Sequence, residues 1–224
     1  MICIIQARLD SKRLYGKVLK KIQNRPILKI ISLRLSKLKT IDNIVIATTK
    51  RKIDNKISEF CLKNNIKCFR GSLNNVLQRY VDCANFFCEN DIIRITGDSP
   101  LVDIRILKKM IDIYNSKKYD LVTNVFPRTF PKGLSIEIFK KQTLIKILSS
   151  KLNRTHREHI MTYIYANEKN FSINNFKSKN NFSNINFSID TLDDLNKIKN
   201  LIKKSKKSIK NLNYLEAIKI NENN

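Results

Sequence analysis

Ile2-Cys3-Ile4-Ile5-Gln6-Ala7 is a short apolar run, Arg8 to Lys17 is polar and basic, and Ile27 to Leu38 returns to apolar residues at helical spacing. Together these read as a buried strand, a loop leaving its carboxyl end, and a helix. The unit recurs: Ile44 to Thr48 precedes Ile53 to Leu62, Ile66 to Phe69 precedes Val76 to Phe87, Asp91 to Thr96 precedes Ile104 to Tyr114, and Leu121 to Asn124 follows. Apolar strands alternating with amphipathic helices build a parallel sheet covered on both faces. The expected fold class is α/β, with three α/β/α layers around a mostly parallel sheet.

After Asn124 the pattern loosens. Pro127 and Pro131 bracket a loop, while Leu134 to Phe139, Phe171 to Phe176 and Ile185 to Ile189 read as short strands. Thr155 to Tyr165 reads as a helix, as does Thr191 to Ile202, which Asp190 or Thr191 would cap with Asp193 and Asp194 in its first turn. Lys177 to Asn184 is polar and reads as a flexible surface loop. One domain is expected over residues 1–210, followed by a C-terminal tail, 211–224, that partly frays; the chain is lysine-rich from Lys203 onward.

A chain of 224 residues, 42% of them hydrophobic, can bury one sizeable core. It holds no run of eighteen apolar residues, and Met1-Ile2-Cys3-Ile4-Ile5 lacks a basic leader, so a cytoplasmic protein without membrane insertion is expected. The five cysteines form no C-x-x-C pair, and with only His156 and His159 to join them they read as buried thiols rather than a zinc site. The net charge of +25 would by itself suggest nucleic acid. Its lysines, however, are spread over nearly every segment and no RNA-binding or helix-turn-helix signature accompanies them. A solvated basic surface is the better reading, and no nucleic-acid partner is expected. Such a field still attracts polyphosphates.

Only Gly16, Gly71, Gly97 and Gly133 occur in the chain, each after an expected strand or in the loop beyond it. In an open α/β sheet ligands bind outside the carboxyl ends of strands, where backbone must turn sharply or approach a ligand closely. G-x-G-x-x-G needs three glycines within six residues, and no two of these four lie that close, which excludes a Rossmann dinucleotide site. Gly16-Lys17 is not a Walker A motif either, because Ser11 replaces its first glycine and Val18 its magnesium-binding hydroxyl.

Arg8, Lys12, Arg13 and Lys17 place four cations in one loop at the end of the first strand, a set suited to a triphosphate. In a basic protein the plainer alternative is an ordinary basic loop. Asp91 to Pro100 is a buried strand ending in Gly97-Asp98, where one carboxylate suits magnesium if a second comes from elsewhere. Asp190, at the end of Ile185 to Ile189, is the candidate partner. The plainer alternatives are a turn-stabilising Asp98 and a helix-capping Asp190.

Ile4-Ile5-Gln6-Ala7-Arg8, Ser11, Arg13-Leu14, Gly16-Lys17-Val18-Leu19, Arg94 to Leu101, and Ile189-Asp190-Thr191 with Asp194-Leu195 resemble the cytidylyltransferase family that makes CMP-activated sugar acids. That family includes the CMP-Kdo and CMP-sialic acid synthetases, and the nearest likeness is to its spore coat polysaccharide biosynthesis branch. Phe69 to Ser72, Val76 to Tyr80, Pro127 to Pro131 and Arg157-Glu158-His159 extend the likeness over nearly the whole chain. It implies a GT-A-like nucleotide-diphospho-sugar transferase fold, CTP and a small sugar acceptor as substrates, a Mg2+ cofactor, and in-line attack on the α-phosphate with loss of pyrophosphate. Homodimerisation is left open. By the resemblance Arg8, Arg13 and Lys17 hold phosphates, Ser11 is a further nucleotide-binding residue, and Asp98 and Asp190 hold the metal. Ala7, Arg70, Gly71 and Ser72 lie by cytosine and ribose, with Thr96 and Gly97 completing the nucleotide's surroundings. Arg128, Glu137, Arg157 and His159 shape the sugar pocket.

Two residues depart from the pattern. Asn75 stands where relatives usually carry an acid before Val-Leu, and Ser135 where many carry aspartate between Gly-Leu and the following Glu. A carboxylate lost beside the acceptor bears on which sugar is used. A glycosyltransferase on the same fold would usually show an Asp-x-Asp pair, and Gly97-Asp98-Ser99-Pro100 offers one aspartate. A nucleic-acid-binding protein would reveal itself by oligonucleotide binding that collapses with salt.

Overall fold

In the computed structural model, which describes residues 1–223, the apolar runs pair edge to edge and are covered on both sides. The chain runs β1 (Ile2–Gln6), a hairpin of β2 (Lys21–Ile22) and β3 (Arg25–Pro26), α1 (Ile27–Leu35), β4 (Asn43–Thr49), α2 (Asn55–Lys63), β5 (Lys67–Gly71), α3 (Val76–Phe86), β6 (Asp91–Thr96) and α4 (Ile104–Ser116). It continues through β7 (Leu121–Thr123), β8 (Glu137–Lys140), α5 (Lys141–Leu148), α6 (Arg154–Glu158), α7 (Thr162–Ala166), β9 (Ile173–Asn175), α8 (Leu192–Ser205) and α9 (Tyr214–Glu222).

The seven-stranded sheet has the order β5-β4-β1-β6-β8-β7-β9. β5, β4, β1 and β6 are mutually parallel, β8 runs antiparallel to β6 and β7, and β9 is parallel to β7. From β1 the chain winds outward through β4 and β5, then crosses to the other side of β1 with β6. That reversal puts a switch point between Gln6 and Thr96, which face each other in the β1–β6 register. Ligands of open α/β sheets bind at such a point.

β1 can sit at the centre because it has no polar face. Ile2 and Ile4 pack with Leu77 and Tyr80 of α3 and Leu144 of α5, while Cys3 and Ile5 pack with Leu28 and Ile31 of α1 and Met110 of α4. Fully burying one aliphatic side chain of this size stabilises by roughly 1.5–3 kcal/mol, so a strand buried on both faces anchors both layers.

The second half departs from the sequence expectations. Ile185 to Ile189 forms no strand: it is an extended segment bridging Lys132 through Asn186 and reaching Asp98 through Ile189 N–H, which donates to Asp98 O at 3.0 Å. The helix expected over Thr155 to Tyr165 breaks into α6 and α7. The break falls at His159, whose backbone (φ −114°, ψ 84°) leaves the helical region. Lys177 to Asn184 is held to the body, since Ser178 N–H and Phe182 N–H both donate to Thr129 at 2.8 Å.

Most of the tail expected after residue 210 is taken up by α9. Asn213 and Glu216 form a capping box, and Leu212, Ala217 and Ile218 are buried. The buried Arg34 guanidinium also ties it down, donating to Ile209 O at 2.5 Å and Leu212 O at 2.9 Å. Asn224, the last residue of that expected tail, lies outside the described residues.

Candidate active site

The loop leaving β1 is shaped from below by Asp54, a fully buried carboxylate. It accepts from Leu9 N–H at 2.9 Å, from Arg51 Nη2 at 3.1 Å and from the Thr49 hydroxyl. Gly16, at φ +65°, occupies the left-handed region that a side chain disfavours, and its N–H closes the loop on Leu9 O at 2.8 Å. A 3-10 turn, Lys17–Leu19, follows, with Val18 buried beneath it. Lys17 is thereby aimed across the switch point.

There its ammonium meets two carboxylates: Nζ lies 2.7 Å from Asp98 Oδ2 and 2.8 Å from Asp190 Oδ1. Burial alone would lower the Lys17 pKa, but Asp98 and Asp190 outweigh it and hold the value above that of an ordinary lysine. Asp98 is placed by Gly97, where a Cβ would come within 2.9 Å of Gln6 O and 3.2 Å of Ala7 Cβ. Asp190 is free for this role because Thr191 caps α8, in a capping box with Asp194 that also takes Asp190 N–H at 3.0 Å. Arg13 Nη2 reaches the same Asp190 oxygen at 2.9 Å.

These groups line a cavity of about 400 Å³ with Gln6, Ala7, Arg8, Ser11, Lys12, Thr96 and His159. Among the described residues no group of three or more His, Cys, Asp or Glu could hold a metal alone. Asp98 and Asp190 do converge on one cation, and two hard carboxylates completed by phosphate oxygens are what magnesium requires.

Arg8 joins this cavity to a second cleft of about 630 Å³, lined by Asp10, Leu73, Asn74, Leu152, Arg154, Arg157 and Glu158. The expected sugar-pocket residues therefore divide. His159 lines the first cavity and Arg157 the second, while Glu137 and Arg128 belong to a third cluster in the sheet. The turn expected beside the nucleoside adjoins the second cleft. Arg70 donates to Thr49 O at 3.0 Å and Arg51 O at 2.9 Å, Gly71 ends β5 against Arg79, and Ser72 O accepts from Arg79 Nη1 at 2.6 Å.

In the third cluster Glu137 is buried opposite Arg94 in the β6–β8 register, pairs with its guanidinium and accepts from Tyr165 Oη at 2.8 Å. Arg128 Nη2 donates to Ser135 Oγ at 3.0 Å. Arg94 Nε and Arg128 Nη1 are buried with no hydrogen-bond partner. For Arg94 burial is the largest single effect and lowers the pKa, but Glu137 together with Tyr80 and Tyr165 outweighs it and the net shift is upward; for Arg128 burial wins and the shift is downward. Burial, reinforced by Glu137, raises that of Tyr165.

Sequence reasoning missed Asp10, Asp54 and Tyr165 as parts of this region, and saw Arg94 only as part of a motif. Arg94 carried a signal, a charge inside the apolar run Ile92-Ile93-Arg94-Ile95. Asp54 carried none, since it reads as one more polar residue at a helix start.

The cytidylyltransferase family model matches residues 2–220. The spore coat polysaccharide biosynthesis protein SpsF of Bacillus subtilis is 31% identical over 214 residues, covering 92% of this chain and 87% of that protein. A 3-deoxy-manno-octulosonate cytidylyltransferase of Fusobacterium nucleatum is 28% identical over 148 residues, covering 66% of this chain and 58% of the other. The solved structure of a cytidylyltransferase from Leptospira borgpetersenii superposes with a TM-score of 0.93 at 36% identity, covering 99% of this chain and 93% of that one. Solved nucleotidyltransferases of lower identity share the layered α/β fold.

Proposed function

This chain belongs to the cytidylyltransferase family, and on that premise we propose that it transfers CMP from CTP to a hydroxyl of a sugar acid, releasing pyrophosphate. One observation carries the reading: Lys17, Asp98 and Asp190 converge in a cavity that Arg8, Ser11, Lys12 and Arg13 also line.

The triphosphate fits that cavity. The guanidinium groups of Arg8 and Arg13 grip its oxygens, and Lys17, held protonated, offsets the charge that builds on the departing pyrophosphate. Magnesium, when bound, would be held by Asp98 and Asp190 and would polarise the α-phosphate. The nucleoside then extends past Arg8 into the second cleft, toward Leu73 and Asn74.

The third cluster suits the acceptor's acid group. Arg94 and Arg128 carry two positive charges against the single carboxylate of Glu137, and Ser135, where many relatives carry aspartate, adds none. Two buried guanidinium N–H groups without partners are costly unless an anion or water takes them. A carboxylate meets both needs. The acid reading agrees with the name of the Fusobacterium relative, and that of SpsF points to cell-surface polysaccharide biosynthesis.

The test is pyrophosphate release across a matrix of nucleoside triphosphates and sugars, with and without magnesium. Turnover is expected with CTP, with magnesium, and with an acidic sugar in preference to its neutral counterpart. Absence of CTP binding, together with no turnover for any acceptor, would refute the assignment.

A further inference from the structure

Asp10 stands in the second cleft with half of its carboxylate committed. Oδ2 accepts from Arg51 Nη1 at 2.5 Å, and Arg51 also donates to Asp54, so the side chain is tethered to the base of the loop. Oδ1 is buried and has no hydrogen-bond partner among the described residues. Arg8 Nε lies 3.5 Å from it, an ion pair too long for a good hydrogen bond. Arg8 is held equally loosely by Glu158 at 3.8 Å and makes no hydrogen bond among the described residues.

We propose that Asp10 is a specificity residue for the nucleoside, its Oδ1 accepting a hydrogen bond from a donor on the CTP nucleoside, either the cytosine 4-amino group or a ribose hydroxyl. The inference rests on the nucleotide assignment above and deepens it. Arg8 lines both cavities, so a nucleotide whose phosphates occupy the first presents its nucleoside to the second. Turning Arg8 to the phosphates breaks no hydrogen bond and uncovers the oxygen it now faces. The Arg51 guanidinium, against the opposing effect of burial and with a smaller contribution from Arg8, holds the Asp10 carboxyl below its usual range. An ionised carboxylate can only accept. A donor satisfies it, whereas the O4 of uracil in place of the amine sets lone pair against lone pair.

Asp10→Asn reverses the sign of this contact while keeping the tether. Arg51 can only donate, so the amide oxygen stays on that side and the amide NH2 turns to the cleft. The measurement is equilibrium binding of CTP, UTP, 2′-deoxy-CTP and 3′-deoxy-CTP to wild type, Asp10→Asn and Asp10→Ala, with thermal unfolding as the check on folding. If the base is the donor, wild type prefers CTP to UTP by about tenfold to a hundredfold, the strength of a hydrogen bond to a charged group. Asp10→Asn then erases or inverts that ratio and leaves the deoxy ratios alone. If the ribose is the donor, one deoxy ratio collapses toward one and the CTP-to-UTP ratio stays. Either result supports the proposal. Ratios that are all unchanged in a folded Asp10→Asn protein, or an equal loss for every nucleotide, overturn it and leave Asp10 a loop anchor. A wild type that does not bind CTP overturns the nucleotide assignment itself, which the same titration shows before any variant is compared.

Discussion

Lys17→Ala lowers turnover of CTP roughly a hundredfold to a thousandfold, the usual cost of removing one preorganised group that stabilises developing charge. Two physical effects combine. The variant loses the ammonium that faces the triphosphate, and it leaves Asp98 and Asp190, which now share that ammonium at 2.7 and 2.8 Å, as two like charges in a half-buried pocket. Their repulsion also destabilises the native state, so a urea melt shifts to a lower midpoint, and added magnesium recovers more stability in the variant than in wild type. The pH dependence follows from the sign of the Lys17 shift. Burial pulls its pKa down, but the two aspartates raise it above the unfolded value. Its contribution to stability is therefore fully present below the ordinary lysine value of about 10.4 and is lost only as pH rises through the folded one. The gap between wild type and Lys17→Ala stays flat through neutrality and closes in strong alkali. A variant that turns over CTP within threefold of wild type would remove Lys17 from the chemistry.

The residues that line the cavity at the switch point were legible because they are local in sequence. Arg8 to Lys17 is one loop, and Gly97-Asp98 ends one strand. What was hidden is what those residues do to each other. Four cations in a row suggested a cradle in which each meets phosphate, whereas Lys17 and Arg13 already meet carboxylates, and Arg8 lies between Asp10 and Glu158. Asp190 lies 173 residues beyond Lys17 in the chain, a pairing that no local pattern reveals.

The parallel half of the sheet was legible for a similar reason, since strands buried on both faces announce themselves as apolar runs. The second half was less so. Ile185, Phe187 and Ile189 alternate with polar residues as a strand would, yet their backbone is taken by Lys132 and Asp98 rather than by a neighbouring strand. The last helix, α9, falls in the tail where partial fraying is expected. Its stability comes from the Asn213–Glu216 capping box and from Arg34, far off in α1.

Glu137→Ala destabilises the fold by about 3 kcal/mol or more, because removing one partner of a buried pair strands the other. Arg94 would keep its charge inside the sheet with no counter-ion, and Tyr165 would lose the acceptor at 2.8 Å. The paired change Glu137→Leu with Arg94→Met is expected to be markedly more stable than either single change, since replacing a whole buried pair by apolar groups is often neutral. That difference separates architecture from function. If the cluster serves only the fold, the double variant keeps the acceptor's KM along with its stability. If Arg94 and Arg128 form an anion receptor, the double variant folds, binds CTP with unchanged affinity, and shows an acceptor KM raised at least tenfold for an acidic sugar. Arg128 donates to Ser135 and retains one partnerless N–H, so Arg128→Met should raise the same KM with little loss of stability. Equal KM values for the acidic sugar in wild type and in both variants would assign the charges at Glu137 to the sheet alone.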